Sequence, residues 1–372
     1  MTVLDGQALI HYFEQHVPKS LAVEGDRIGL QIGTLNKPVS RVMVTLDVLE
    51  NVVDEAIQKQ VDLIIAHHPV IYRPLKTMRT DQGQSKIVAK CIQHNITVYV
   101  AHTNLDIAEG GLNDWLADAL KLQDVQVLSP TYTEPLYKLV VFVPKTHETR
   151  VREAIGEAGA GFIGNYSHCT FNAAGVGTFR PGEGAMPYIG RIGELERVEE
   201  VRIETIVPEG QWQQVKEAML AAHPYEEVAY DQYELKNQGK VLGLGRVGAL
   251  NTPMTLKALA QHLKALFKLE GVRVVGDLSR EIKTVAVLGG DGNHYIHEAS
   301  AKGADCFITG DLYYHTAHDA ILDKLSVIDV GHHVESIMKQ GVKDLLTPFI
   351  KNGQYETEIL ISEAPTNPFQ FL

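Results

Sequence analysis

The chain has 372 residues, of which 45% are hydrophobic and 22% charged, values ordinary for a globular protein but too long for one hydrophobic core. A formal net charge of −12 without a Lys/Arg cluster excludes the basic surface that a nucleic-acid partner needs. No apolar run reaches the ~18 residues of a membrane span, the N-terminal stretch lacks a signal-peptide pattern, and the three cysteines (Cys91, Cys169, Cys306) form no CxxC. The expectation is a reduced, cytoplasmic protein with no membrane contact and no thiolate zinc site.

Strand and helix alternate in the first third. "RVMVTLD" (41–47) reads as a strand, "VLENVVDEAIQKQ" (48–60) as an amphipathic helix and "DLIIA" (62–66) as a buried strand. Then come a helix at 84–95, the strand "ITVYVA" (96–101) and a helix at 111–122. Helices covering a sheet, an α/β layer, are the implied class. The Ser/Thr/Pro stretch "LSPTYTEP" (128–135) reads as a linker.

From Tyr137 the pattern becomes β-α-β-β-α-β over about 100 residues, the split-βαβ, ferredoxin-like order. After Asn237 the first rhythm returns, with strands at 284–288, 304–309 and 326–330. The expectation is an α/β domain built from residues 1–130 and 237–372, interrupted by an α+β domain at 136–236.

Three strands of the outer segments run into candidate ligands: "AHHP" (66–69), "AHTNLD" (101–106) and "GHHVE" (331–335). Carboxyl ends of strands in α/β sheets form the crevice where ligands bind, so side chains from three such ends can converge. Imidazole with carboxylate and no thiolate suits zinc, iron or manganese. His332 and Glu335, three apart at a helix start, share a face. A lone His-His pair is more often solvated or hydrogen-bonded than metal-bound; the combination with Asp106 after a third strand reverses that weighting. His11, His16, His94, His147 and His262 read as surface residues, and His168 and His223 as structural. "GGDGNHY" (289–295) permits either anion binding or a tight turn. Thr309, Asp311 and His315 are candidates for supporting a metal site, and Arg73 and Lys76 for holding an anion.

The stretches "DRIGLQIG" (26–33), "AHHP", "HTNLD", "TGDLYYH" and "GHHVE" together resemble the GTP cyclohydrolase I type 2 homologs, the Nif-three-like dinuclear-metal proteins. "NAAGVGTFRPGEGAMPYIG" and "AAHPYEEVAYD" resemble the PII-like or CutA-like insert of the longer bacterial members. The resemblance implies a Nif-three-like α/β metal-binding domain with an inserted ferredoxin-like domain. It implies two divalent ions per chain, zinc ahead of iron or manganese, held by His67, His68, Asp106, His332 and Glu335. His333 is the alternative to His332, because many relatives space this pair by four. Asp106 and Glu335 would bridge the ions, with His102 and His315 free to shuttle protons. A toroidal homohexamer of two trimers is the expected assembly. The implied activity is hydrolysis of a small molecule, a nucleotide among the candidates, by activated water. The rival is a non-catalytic, metal-binding oligomer that senses a small molecule.

Overall fold

Leu63–Ala66 and Thr97–Val100 are buried at every position, as strands covered on both faces must be. In the computed structural model, which describes residues 3–372, they lie inside a five-stranded sheet. Its order is Glu358–Ile361, Arg41–Thr45, Leu63–Ala66, Thr97–Val100 and Gly29–Ile32. The first four run parallel and the last is antiparallel.

A six-stranded sheet is ordered Arg273–Val275, Ser326–Asp329, Cys306–Gly310, Glu281–Asp291, Val241–Thr255 and Gln123–Thr133. Its three-strand centre, Ser326–Asp329 to Glu281–Asp291, is parallel.

Period-2 alternation divides the strand residues between faces. Val42, Val44, Leu63 and Ile65 share one core with Val285, Val287, Ile308 and Ile328, so the two sheets are built on a common interior. Met43, Ile64 and Val98 face outward onto Val52, Val53 and Ala56 of helix Glu50–Gln58 and Val88 and Cys91 of helix Gly83–Gln93. Ala286, Phe307 and Val327 face Ile296, Ala299 and Ala320 on the far side of the other sheet.

The chain divides into two compact units, Met1–Tyr132 with Leu242–Leu372, and Thr133–Val241. The second holds an antiparallel sheet ordered Tyr230–Leu235, Leu136–Pro144, Glu196–Pro208 and Thr170–Phe179. Helices Glu148–Glu157 and Trp212–Ala222 bury Val151, Ile155, Val215 and Met219 against Val141, Val143, Val201 and Ile203.

The Ser/Thr/Pro stretch expected as a linker does contain the boundary between the two units, at Tyr132/Thr133, but residues 128–133 of it are the end of strand Gln123–Thr133. That strand is a sheet edge, where a proline without an N–H interrupts no required pairing, and this is why Pro130 misleads. Among the described residues no helix is long and apolar enough to cross a membrane.

Candidate metal centre

His67 and His68 leave the end of Leu63–Ala66 with their backbone N–H groups still bonded to Thr45 and Leu46 carbonyls, at 3.2 and 2.9 Å. That pairing fixes the corner before any side chain acts. His67 is fully buried and its Nδ1 lies 2.9 Å from the Ala101 carbonyl. A carbonyl only accepts, so Nδ1–H donates and the Nε2 lone pair faces the interior. Burial holds this imidazole neutral, with its pKa pushed down to about 3.

The other three imidazoles repeat the device with carboxylates. His68 Nδ1–H donates to Asp47 Oδ1 at 2.7 Å, His102 Nδ1–H to Asp26 Oδ1 at 2.9 Å, and His332 Nδ1–H to Asp311 Oδ2 at 2.7 Å. Asp26 is itself held by the Thr103 N–H at 3.0 Å and by the Thr103 hydroxyl. Each ring is thus fixed in one orientation with Nε2 pointing inward, the arrangement that metal-ligating histidines require.

The inward atoms meet two buried carboxylates. Glu335 Oε2 lies 3.0 Å from His68 Nε2, 3.2 Å from His332 Nε2 and 3.7 Å from His67 Nε2. Asp106 Oδ1 lies 3.5 Å from His67 Nε2, and neither of these two buried atoms has a hydrogen-bond partner. An unpaired buried acceptor facing another is costly, by about 1–3 kcal/mol for each group.

The electrostatics follow from this crowding. Burial and then the neighbouring Glu335 drive Asp106 well above the usual carboxylate range. Burial pushes Glu335 the same way, but hydrogen bonds from His332 and His68 outweigh it and hold Glu335 low. Burial would lower His68, yet its bonds to Asp47 and Glu335 raise it to about 10. His332, bonded to Glu335 and opposed by burial, rises to about 9.

A divalent cation could be held by this set. Ligands ~2.1 Å from a common tetrahedral ion lie about 3.4 Å from one another, and the separations above, 3.0 to 3.7 Å, bracket that spacing. The donor atoms fall into three overlapping groups, His67–His68–His102, His68–His332–Glu335 and His67–Asp106–Glu335, each within 4.8 Å. Nitrogen and oxygen donors without a thiolate suit zinc, iron or manganese.

His67, His68, Asp106, His332 and Glu335 therefore come together, and His102, expected as a shuttle, stands among the donors. His332 meets Glu335, while the His333 ring turns to Thr366, its Nε2 3.3 Å from the hydroxyl. His315 is not brought to the cluster. It is exposed on the first turn of helix Tyr314–Leu322 with its ring against Tyr314, so the expected shuttle role loses its geometry. Asp311 does support His332, whereas the Thr309 hydroxyl is spent on the Gly290 carbonyl at 3.1 Å. Arg73 rests over the Tyr72 ring.

Sequence reasoning missed the supporting roles of Asp26 and Asp47. Signals for both were present: Asp26 begins "DRIGLQIG", and Asp47 ends the strand motif "RVMVTLD". It also left "GGDG" as a turn or anion loop, where Gly290 in fact packs against Glu335.

Comparison with known proteins agrees with this architecture. The Duf34/NIF3 (NGG1p interacting factor 3) family profile matches residues 4–368. The "GTP cyclohydrolase 1 type 2 homolog" of Halalkalibacterium halodurans is 57% identical over 372 residues, covering 100% of both chains. That of Bacillus subtilis is 57% identical over 369 residues, covering 99% of each. Among solved structures, the Bacillus cereus protein related to NIF3 superposes with a TM-score of 0.95 at 54% identity, covering 100% of both chains. Staphylococcus aureus protein SA1388 superposes with a TM-score of 0.80 at 30% identity, again over 100% of both. The chain belongs to the Duf34/NIF3 family.

Proposed function

We propose that this Duf34/NIF3 protein is a dinuclear, divalent-metal-dependent hydrolase of the GTP cyclohydrolase 1 type 2 kind, with zinc the favoured metal. The observation that carries the reading is the pair of buried, unpartnered atoms His67 Nε2 and Asp106 Oδ1, 3.5 Å apart and inside a ring of oriented imidazoles. His67, Asp106 and Glu335 would hold one ion and His68, His332 and Glu335 the other, with Glu335 common to both. His102 would add a further nitrogen donor to one of the ions from the His67–His68 side. Bound ions would supply Lewis acidity and lower the pKa of a water toward ~7.

The chain's own contribution is orientation. Asp26, Asp47 and Asp311 keep the proton on Nδ1 of His102, His68 and His332, so Nε2 remains the inward atom. Ala66, Ala101 and Val330, at the strand ends that lead into the histidines, are buried, and a low-dielectric surrounding strengthens each interaction. The same proposal takes the 133–241 unit as a PII-like or CutA-like insert, the assembly as a toroidal homohexamer of two trimers, and the substrate as a small molecule such as a nucleotide.

The test is reconstitution of chelator-stripped protein with Zn²⁺, Mn²⁺ or Fe²⁺. Elemental analysis is followed by a hydrolysis screen over GTP, other nucleotides and phosphoesters, with Asp106→Ala as the blank. About two ions per chain and turnover absent from the blank are expected. Failure to retain any metal removes the proposal; full metal loading without turnover on any substrate moves it to the non-catalytic, regulatory reading.

A further inference from the structure

The 133–241 unit contains a cleft of about 490 Å³. Its walls come from strand Thr170–Phe179, the following glycine- and proline-rich loop, and the segment after helix Trp212–Ala222. The metal reading does not use it, and the motifs that form it, "GTFRPGEGAMPY" and "HPYEE", have no role in the metal centre.

Three features define its chemistry. First, Glu200 is nine-tenths buried, yet its carboxylate lines the cleft. Oε1 accepts from the Tyr225 hydroxyl at 3.0 Å, and no cationic side chain among the described residues pairs with Glu200. Gly177 makes room for Oε2, since a Cβ there would stand 2.0 Å from it.

Second, three aromatic rings line the same cleft, one of them, Tyr225, bonded to that carboxylate. Phe179 lies 5.7 Å from Tyr225 at 63°, and Tyr188 lies 6.4 Å from Tyr225 at 51°. The first pair is edge-to-face and the second tilted, and all three rings line the cleft, where the face of an aromatic ring attracts an ammonium group.

Third, Glu226 and Glu227 also line the cleft, against Arg180 as its single cation. Glu226 fixes the loop by accepting from the Met186 N–H with both oxygens, at 3.2 and 3.0 Å. The backbone nearby is equally determined. The Tyr225 N–H donates to His223 Nδ1 at 3.1 Å, and His223 Nε2–H donates to the Phe142 carbonyl at 3.0 Å.

We infer that this cleft binds a small organic cation, an ammonium or guanidinium carrying an apolar body, with its charge on Glu200 and its body among Phe179, Tyr188 and Tyr225. A buried carboxylate with a neutral hydroxyl as its one partner gains most from a charged donor, since charge-assisted hydrogen bonds are roughly twice as strong as neutral ones. The volume falls in the ordinary range for small-molecule sites, ~300–1,000 Å³. An anion would meet net negative walls.

The test uses the full chain, stripped of metal so that no amine can bind through an ion. Phenethylamine, 2-phenylethanol and 3-phenylpropionate are titrated by ligand-observed NMR and calorimetry. The three share an aromatic body and differ in charge. Saturable one-site binding of phenethylamine is expected, with both others weaker by about 10-fold or more. Glu200→Gln, which keeps an acceptor for Tyr225, should reduce phenethylamine affinity about 10-fold or more. Tyr188→Ala should reduce it about 5-fold. Because Tyr188 is 56% exposed, that second variant tests the site without disturbing the core if Glu200→Gln melts early. Equal binding of all three probes, preference for the carboxylate, no saturable binding of the amine, or unchanged affinity in Tyr188→Ala would each overturn the inference.

Discussion

Replacing Gly290 by alanine perturbs the metal centre without touching a ligand. Gly290 has φ +67°, where an L side chain carries a backbone penalty of ~1–2 kcal/mol. An added Cβ would stand 2.6 Å from Glu335 Oε1 and 3.3 Å from His332 Nε2. Glu335 is 3% exposed and held at 3.0 and 3.2 Å by His68 and His332, so it has no free direction to yield. The overpacking adds ~1–3 kcal/mol, for a total loss of about 2–5 kcal/mol in the metal-free protein. Displacing Glu335 from two imidazoles should also weaken metal binding by about 10- to 100-fold or more. Gly303→Ala is the matched control. It has φ +77° with nothing within 4 Å of the added methyl, so it should cost only the ~1–2 kcal/mol of strain and leave metal binding intact. Denaturant unfolding of the stripped proteins measures the first quantity and chelator competition the second. If the two variants behave alike in both assays, the close packing of Gly290 on Glu335 does not shape the site and the reasoning fails.

Asp26→Asn keeps the volume but removes the charge that orients His102, and should weaken binding of one ion by about 10- to 100-fold, leaving a chain with close to half its metal by elemental analysis. His315→Ala should change neither metal content nor any turnover found in the substrate screen; a loss of either would place this exposed histidine back at the site. Glu55 supports the C-terminal segment, accepting from the Glu363 N–H at 3.0 Å, the Ala364 N–H at 3.1 Å, the Ser362 hydroxyl at 2.6 Å and Lys59 at 2.7 Å. Burial opposes its charge, but these donors prevail and bring its pKa from 4.5 down to about 2. A depressed carboxylate stabilises the fold above its unfolded pKa, so Glu55→Gln should cost about 2 kcal/mol at pH 7, and the gap between variant and parent should close as pH falls from ~4.5 toward 2. A gap independent of pH in urea melts would show that charge is not what Glu55 contributes.

The α/β alternation and the strand-end histidines were legible because both are local signals. "DLIIA" running into His67 and His68 carries its strand, its stop and its two imidazoles within seven residues. What was not legible is the pairing that turns histidines into oriented donors. Asp26 and His102 are 76 positions apart, Asp47 and His68 21 apart, and His68 and Glu335 267 apart. No periodicity encodes such distances; they exist only after the sheets bring their strand ends together. His315 illustrates the converse failure. It lies five residues past the end of strand Cys306–Gly310, whereas Asp311, the first residue past it, takes φ +53° and turns its carboxylate to His332; the helix that begins at Tyr314 carries His315 on its exposed first turn.

The carboxylates give the physical reason for a cation at this place. Asp106 and Glu335 are both buried, and no arginine or lysine ion pair reaches either of them among the described residues. Removing two carboxylates from water is expensive unless opposite charge comes with them. Protonated His68 and His332 supply part of that charge and settle Glu335, which accepts from both. Neither imidazole hydrogen-bonds Asp106, and its nearest imidazole, His67, is kept neutral by burial. Asp106 is consequently left to hold a proton in the absence of metal, and its Oδ1, 3.5 Å from His67 Nε2, makes no hydrogen bond. A divalent ion held by His67, Asp106 and Glu335 would resolve both faults at once, because it would replace that proton and give the unpartnered nitrogen an acceptor for its lone pair. A hydrogen-bond donor such as water could satisfy the nitrogen but would bring no positive charge to Asp106, which would keep its proton. The same burial that penalises the metal-free state is what would make a bound metal strongly held.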